Sequence, residues 1–202
     1  MNPKFIVEQK ITPFVNKYSV YKADQNGVKG DIMSFAQQKR LAFKEKIEFY
    51  SDETKTELVF NFRAEKVLDV HGRYVIGDKS GQPVGSFNKI FGKSLFISSW
   101  NINDQTGQPV LLVKENSLLL ALLRRLIGLV PYIGEYLSLI VMLFKYHFEF
   151  IDVQTGEKVG TYFKTTLFRD HYVLSLTDQA SSTIDWRTYA AMAVALDALQ
   201  SR

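Results

Sequence analysis

Ile184-Asp185-Trp186-Arg187-Thr188-Tyr189-Ala190-Ala191-Met192-Ala193-Val194-Ala195-Leu196-Asp197-Ala198-Leu199 is apolar on nearly every side of a helical wheel, while almost everything before it reads as short strands. A helix with so little polar surface has to be enclosed. Asp185 is placed to cap it or to sit in its first turn, and Ala190, Ala191, Ala193 and Ala195 let neighbouring side chains come close. The expected element is a central helix over 184–199, with Tyr189, Ala191, Met192, Ala195, Leu196 and Leu199 packed against its surroundings.

Those surroundings follow from a weak internal repeat. A turn signal recurs as Asp24-Gln25-Asn26-Gly27, Asp78-Lys79-Ser80-Gly81, Asp104-Gln105-Thr106-Gly107 and Val153-Gln154-Thr155-Gly156. Versions without glycine stand at Asp52-Glu53-Thr54-Lys55 and Asp178-Gln179-Ala180-Ser181. Aspartate caps a turn with its side chain and glycine accepts positive φ, so Asp24, Gly27, Asp78, Gly81, Asp104, Gly107 and Gly156 are expected at hairpin turns. The flanks agree, with alternating or β-branched and aromatic runs such as Arg73-Tyr74-Val75-Ile76, Tyr146-His147-Phe148-Glu149-Phe150 and Tyr172-Val173-Leu174-Ser175-Leu176. Six such units predict twelve antiparallel strands. Closing the sheet removes its edges, and a barrel that wide needs a filled lumen. The fold class is therefore all-β with helices: a closed twelve-stranded antiparallel barrel around a buried C-terminal helix.

A chain of 202 residues with 46% apolar residues is expected to form a single domain spanning 1–202. The net charge of +4 arises in the first fifty positions, where nine basic residues face five acidic ones. There is no cysteine, hence no disulfide, thiol nucleophile or thiolate ligand, and the chain start lacks the apolar core of a signal peptide. A cytoplasmic location is expected, with peripheral membrane association as an extension.

The fourth and fifth turn signals are separated by about twice the usual gap, and the space holds the apolar insertion 117–144. Neither half reaches the roughly 20 uninterrupted apolar residues that crossing a bilayer requires, and Arg124-Arg125 interrupts the first. A helical hairpin packed over one end or side of the barrel is expected, with no transmembrane span.

The stretch Val67-Leu68-Asp69-Val70-His71-Gly72-Arg73-Tyr74-Val75-Ile76-Gly77-Asp78-Lys79-Ser80-Gly81-Gln82-Pro83-Val84-Gly85 resembles the tubby C-terminal-like superfamily, particularly its LURP-one-related and phospholipid-scramblase-like branches. Similar units recur from Trp100 to Gly107 and at Tyr146 to Phe150, followed by Val159-Gly160. The resemblance implies a twelve-stranded barrel around a hydrophobic helix. It also implies binding of phosphoinositide head groups through surface basic residues in tubby-like relatives, and calcium-dependent lipid movement in scramblase-like ones. This chain lacks the cysteine-rich tract of the scramblases and any evident paired lysine and arginine motif of tubby, which argues against scrambling and leaves lipid binding open.

Candidate chemistry is sparse. His71, His147 and His171 are isolated, and neither His147-x-Glu149 nor Asp170-His171 supplies a third metal ligand. No Gly-x-Ser-x-Gly elbow or phosphate loop occurs, and Gly92-Lys93-Ser94 lacks the upstream glycine. No cofactor, metal or catalytic residue is therefore expected. Phe87, Lys89, Phe91, Lys93, Phe96 and Trp100 interleave rings with cations, but barrel alternation produces the same pattern, so nucleic acid is the weaker partner. Lys39, Arg40, Lys44 and Lys46 form one basic cluster, Lys89 and Lys93 another, and Arg124 and Arg125 stand within the insertion; these are the candidate lipid contacts. The expected function is a non-enzymatic binding or scaffold module for an anionic phospholipid surface or a protein. The alternatives are an enzyme with an unrecognised site at one barrel end, or a nucleic-acid-binding domain.

Overall fold

Each strand hydrogen-bonds to its neighbour in sequence, and the first closes on the last. The computed structural model describes residues 1–12, 14–39, 46–65, 72–90, 99–115, 147–166 and 170–198. Among them are β1 (Asn2–Ile11), β2 (Val15–Ala23), β3 (Lys29–Lys39), β4 (Lys46–Tyr50), β5 (Leu58–Ala64), β6 (Arg73–Asp78) and β7 (Pro83–Lys89). There follow β8 (Ser99–Asn103), β9 (Pro109–Glu115), β10 (His147–Asp152), β11 (Lys158–Lys164), β12 (Asp170–Leu176), α1 (Asp178–Thr183) and α2 (Trp186–Ala198). The twelve strands form one closed antiparallel barrel. The expected helical hairpin at 117–144 lies outside the described residues, among which no helix is long and apolar enough to cross a membrane.

The turn signals fold as their chemistry requires. Asp24, Asp78 and Asp104 each accept backbone N–H bonds two and four residues on, from Asn26 and Val28, Ser80 and Gln82, and Thr106 and Gln108, at 2.7–2.9 Å. Gly27, Gly81, Gly107 and Gly156 take φ of 72–86°. Two signals differ from expectation. The fifth is capped by Asp152, one residue before the quoted stretch, whose Oδ1 accepts from Gln154 and Thr155 N–H. The sixth makes no hairpin: Thr177 caps Ala180 N–H and the chain enters α1. The strand that a sixth hairpin would have provided is β1, which seals the barrel by pairing Val7 with Tyr172 and with Val20.

Inside runs α2. No residue from Tyr189 to Leu196 exposes more than 1% of its surface, so the helix is enclosed on all sides. Asp185 sits just ahead of it, its Oδ1 accepting from Arg187 N–H at 2.9 Å, as the capping expectation requires. Because alanine fills five of the thirteen helix positions, the wall supplies much of the bulk. Phe49 stacks on Phe60 with centroids 4.0 Å apart, Phe62 meets Phe87 edge-on at 5.2 Å, and Tyr162 stacks on Tyr172 at 5.2 Å. The recurring Val-Gly pairs after the turns also acquire a reason. A Cβ on Gly85 would stand 3.0 Å from Thr188 Oγ1 of the helix, and one on Gly160 would stand 2.7 Å from Leu176 Cδ2.

Candidate functional site

In an up-and-down barrel alternate connections join the strands at opposite rims, and here the two sets of connections differ in sequence composition. The turn rim carries 24–28, 51–57, 79–82, 104–108 and 153–157, which hold six acidic residues (Asp24, Asp52, Glu53, Glu57, Asp104, Glu157) against Lys55 and Lys79. The loop rim is joined by 40–45, 65–72, 90–98, 116–146 and 165–169. In sequence these segments hold eight basic residues (Arg40, Lys44, Lys66, Lys93, Arg124, Arg125, Lys145, Arg169) against Glu45, Glu65, Asp69 and Glu135.

Of the eight expected lipid contacts, three are described, and all three stand at loop-rim ends of strands. Lys39 ends β3, Lys46 begins β4 and Lys89 ends β7. Arg40, Lys44, Lys93, Arg124 and Arg125 lie outside the described residues, as does Leu199 of the expected helix. Lys46 is exposed and donates to Glu48 at 2.6 Å; that bond, with another from Tyr50, holds the Glu48 carboxyl below its ordinary range. Directly across the strand pair is Arg63, also exposed and also basic, a like-charge pairing invisible until the register is known. Lys89 departs from the simple surface picture: it pairs with buried Trp100, on the inward-facing side of the wall, and its Nζ lies 5.7 Å from that ring.

Just inside the loop rim the lumen turns polar. Tyr18 donates its hydroxyl to Asp197 Oδ2 at 2.7 Å, and Gln9 Nε2 donates to the same oxygen at 2.6 Å and to Tyr18 Oη at 3.3 Å. Burial, followed by the Asp197 charge, pushes the Tyr18 hydroxyl well above its ordinary pKa. Gln38, 6% exposed, faces Asn16 across β2 and β3. Neither polar atom of its amide, nor Asn16 Oδ1, has a protein hydrogen-bond partner among the described residues, and water suits such positions. This group ties the last turn of α2 to β1 and β2.

Of the histidines, His71 lies outside the described residues, and His171 shares a 2.6 Å hydrogen bond with Thr165 Oγ1. No three His, Cys, Asp or Glu side chains gather into a metal-binding group among the described residues. Each turn aspartate commits its Oδ1 to backbone N–H groups of its own turn. The described residues thus place exposed Lys46 and Arg63 at the loop rim and a polar group at the mouth of the lumen.

No curated protein and no solved structure matches the chain. A family model described as LURP-one-related matches residues 32–197, from within β3 to one residue short of the end of α2. With most of the barrel and nearly all of its central helix inside that match, the chain belongs to the LURP-one-related family.

Proposed function

We propose that this protein is a non-enzymatic binding module whose loop rim docks on an anionic phospholipid surface. The segregation of charge carries the reading, since basic residues dominate the connections of one rim and acidic residues those of the other. The same loop-rim segments are rich in apolar residues, notably 90–98 and 116–146, the mixture that interfacial binding uses. A Lys or Arg close to an anionic surface contributes about 1 kcal/mol, so four or five engaged together give useful, salt-sensitive affinity. The oppositely charged turn rim favours one orientation on the surface.

Flotation with vesicles of phosphatidylcholine, with and without phosphatidylserine, tests the proposal. Capture is expected only with the acidic lipid and should weaken as salt rises. Reversing Lys39, Arg40, Lys44 and Lys46 to Glu abolishes capture, whereas reversing Lys55 and Lys79 on the turn rim leaves it intact. Absence of binding at low salt sinks the reading.

A further inference from the structure

At the turn rim, opposite the proposed membrane face, a cavity of about 590 Å³ opens beside the start of α2. Its apolar side is made by Phe5, Met33 and Trp186, with Ala23 between them, and Trp186 is held edge-on against buried Phe60 at 5.6 Å. Four charged residues also line it, and their commitments differ. Asp178 is paired with Lys4 at 2.7 Å. Asp24 accepts from Asn26 and Val28 N–H within its own turn. Lys22, directly across the strand pair from Phe5, is exposed and has no ion-pair or hydrogen-bond partner among the described residues. Among the described residues Lys22 is thus the one lining cation without a carboxylate paired to it, beside an apolar, partly aromatic floor, while Asp24 keeps its charge with Oδ1 held by its own turn.

We infer that this cavity binds a small amphipathic carboxylate, its hydrocarbon or aromatic body against Phe5, Met33 and Trp186 and its carboxylate on Lys22. The volume lies in the ordinary range of small-molecule sites, and a few polar groups on an apolar lining is their usual composition. Lys22 selects for the anion. A cationic amphiphile of the same length would meet the Lys22 ammonium, and a neutral one would bury its chain without gaining the charge-assisted contact. The site shares no residue with the loop rim, so it stands apart from membrane docking.

Calorimetric titration of the full chain with octanoate, octanol and octyltrimethylammonium provides the test. Octanoate is expected to saturate a single site about tenfold or more tightly than octanol, with no binding of the cation. Lys22→Met keeps the aliphatic stem and should reduce octanoate to the affinity of octanol while leaving octanol unchanged. Trp186→Ala should weaken both. Lys22 is exposed, so the Met variant should retain the parent's thermal melt; it should also retain vesicle capture, whereas Lys46→Glu should leave octanoate binding intact. The inference is overturned by absence of saturable octanoate binding, by equal binding of the cation, or by an unchanged octanoate affinity in Lys22→Met.

Discussion

At the scale of single residues the turns are chemically legible and set the acid limit of the fold. Asp52 and Asp104 are held below their ordinary carboxylate range first by the hydroxyls of Thr54 and Thr106, and Asp152 by the backbone N–H of Thr155. A carboxyl whose folded pKa is depressed contributes stability above its unfolded pKa and loses that contribution as pH falls through the folded value. Melting temperature should therefore fall as pH drops below 3.8, the ordinary value for aspartate, and Asp104→Asn should flatten that acid limb. Tyr18 and Tyr189 act at the other extreme, burial pushing both hydroxyls above their ordinary value of 10.0. Their contribution is complete below pH 10 and lost as pH rises beyond it, so alkaline ultraviolet titration should show these two rings ionising only as the barrel unfolds. Lys55 occupies the glycine place of its turn at φ 58°. Lys55→Gly should raise stability by about 0.5–1 kcal/mol in urea unfolding, because positive φ is strained for a residue with a Cβ.

At the scale of elements, α2 is stable only because it is wrapped. Isolated, a helix of thirteen residues in which small side chains dominate would bury too little of itself to hold its shape in water. Inside the barrel, Ala191 and Ala195 are fully enclosed among rings, so replacing either with Trp should overpack the lumen and cost at least ~1–3 kcal/mol. Truncating Leu196 to Ala should cost about 2–5 kcal/mol by leaving a cavity that the surrounding wall fills only in part. Native-like chemical denaturation in the tryptophan variants would contradict the enclosed geometry. Strand β1 shows the limit of reading elements by local signals. No turn motif announces Asn2–Ile11, and the turn signal at Asp178 leads into α1 instead of a twelfth hairpin strand. On its closing side the strand is paired with residues 161 to 174 positions away, such as Tyr172 opposite Val7. Long-range pairing of this kind leaves no mark in a short window of sequence.

At the scale of the whole molecule, the connections that join the strands at the two ends of the barrel differ in charge along the sequence. The basic candidates Lys39, Arg40, Lys44, Lys46, Lys89, Lys93, Arg124 and Arg125 form three separate groups along the chain, and the described ones, Lys39, Lys46 and Lys89, stand at strand ends of one rim. What lay beyond reach was the register, which sets Arg63 opposite Lys46 and turns Lys89 toward Trp100 on the inner wall. If the loop rim is the docking face, salt dependence of vesicle capture should be steep for the parent chain and shallower for Lys46→Glu, read as the slope of log affinity against log salt.

The sequence by itself determined the closed barrel, the enclosed helix and the capped turns, because each rests on local rules: alternation of side chains, positive φ at glycine, and a helix apolar on all its faces. Only the tertiary structure decided which strand closes the ring, that Gly85 and Gly160 are kept small by Thr188 and Leu176, and that Lys22 stands over a cavity beside Trp186. Those outcomes depend on contacts between residues far apart in the chain. Their geometry is set by how the strands stagger around the helix, a property of the closed barrel that no single segment contains.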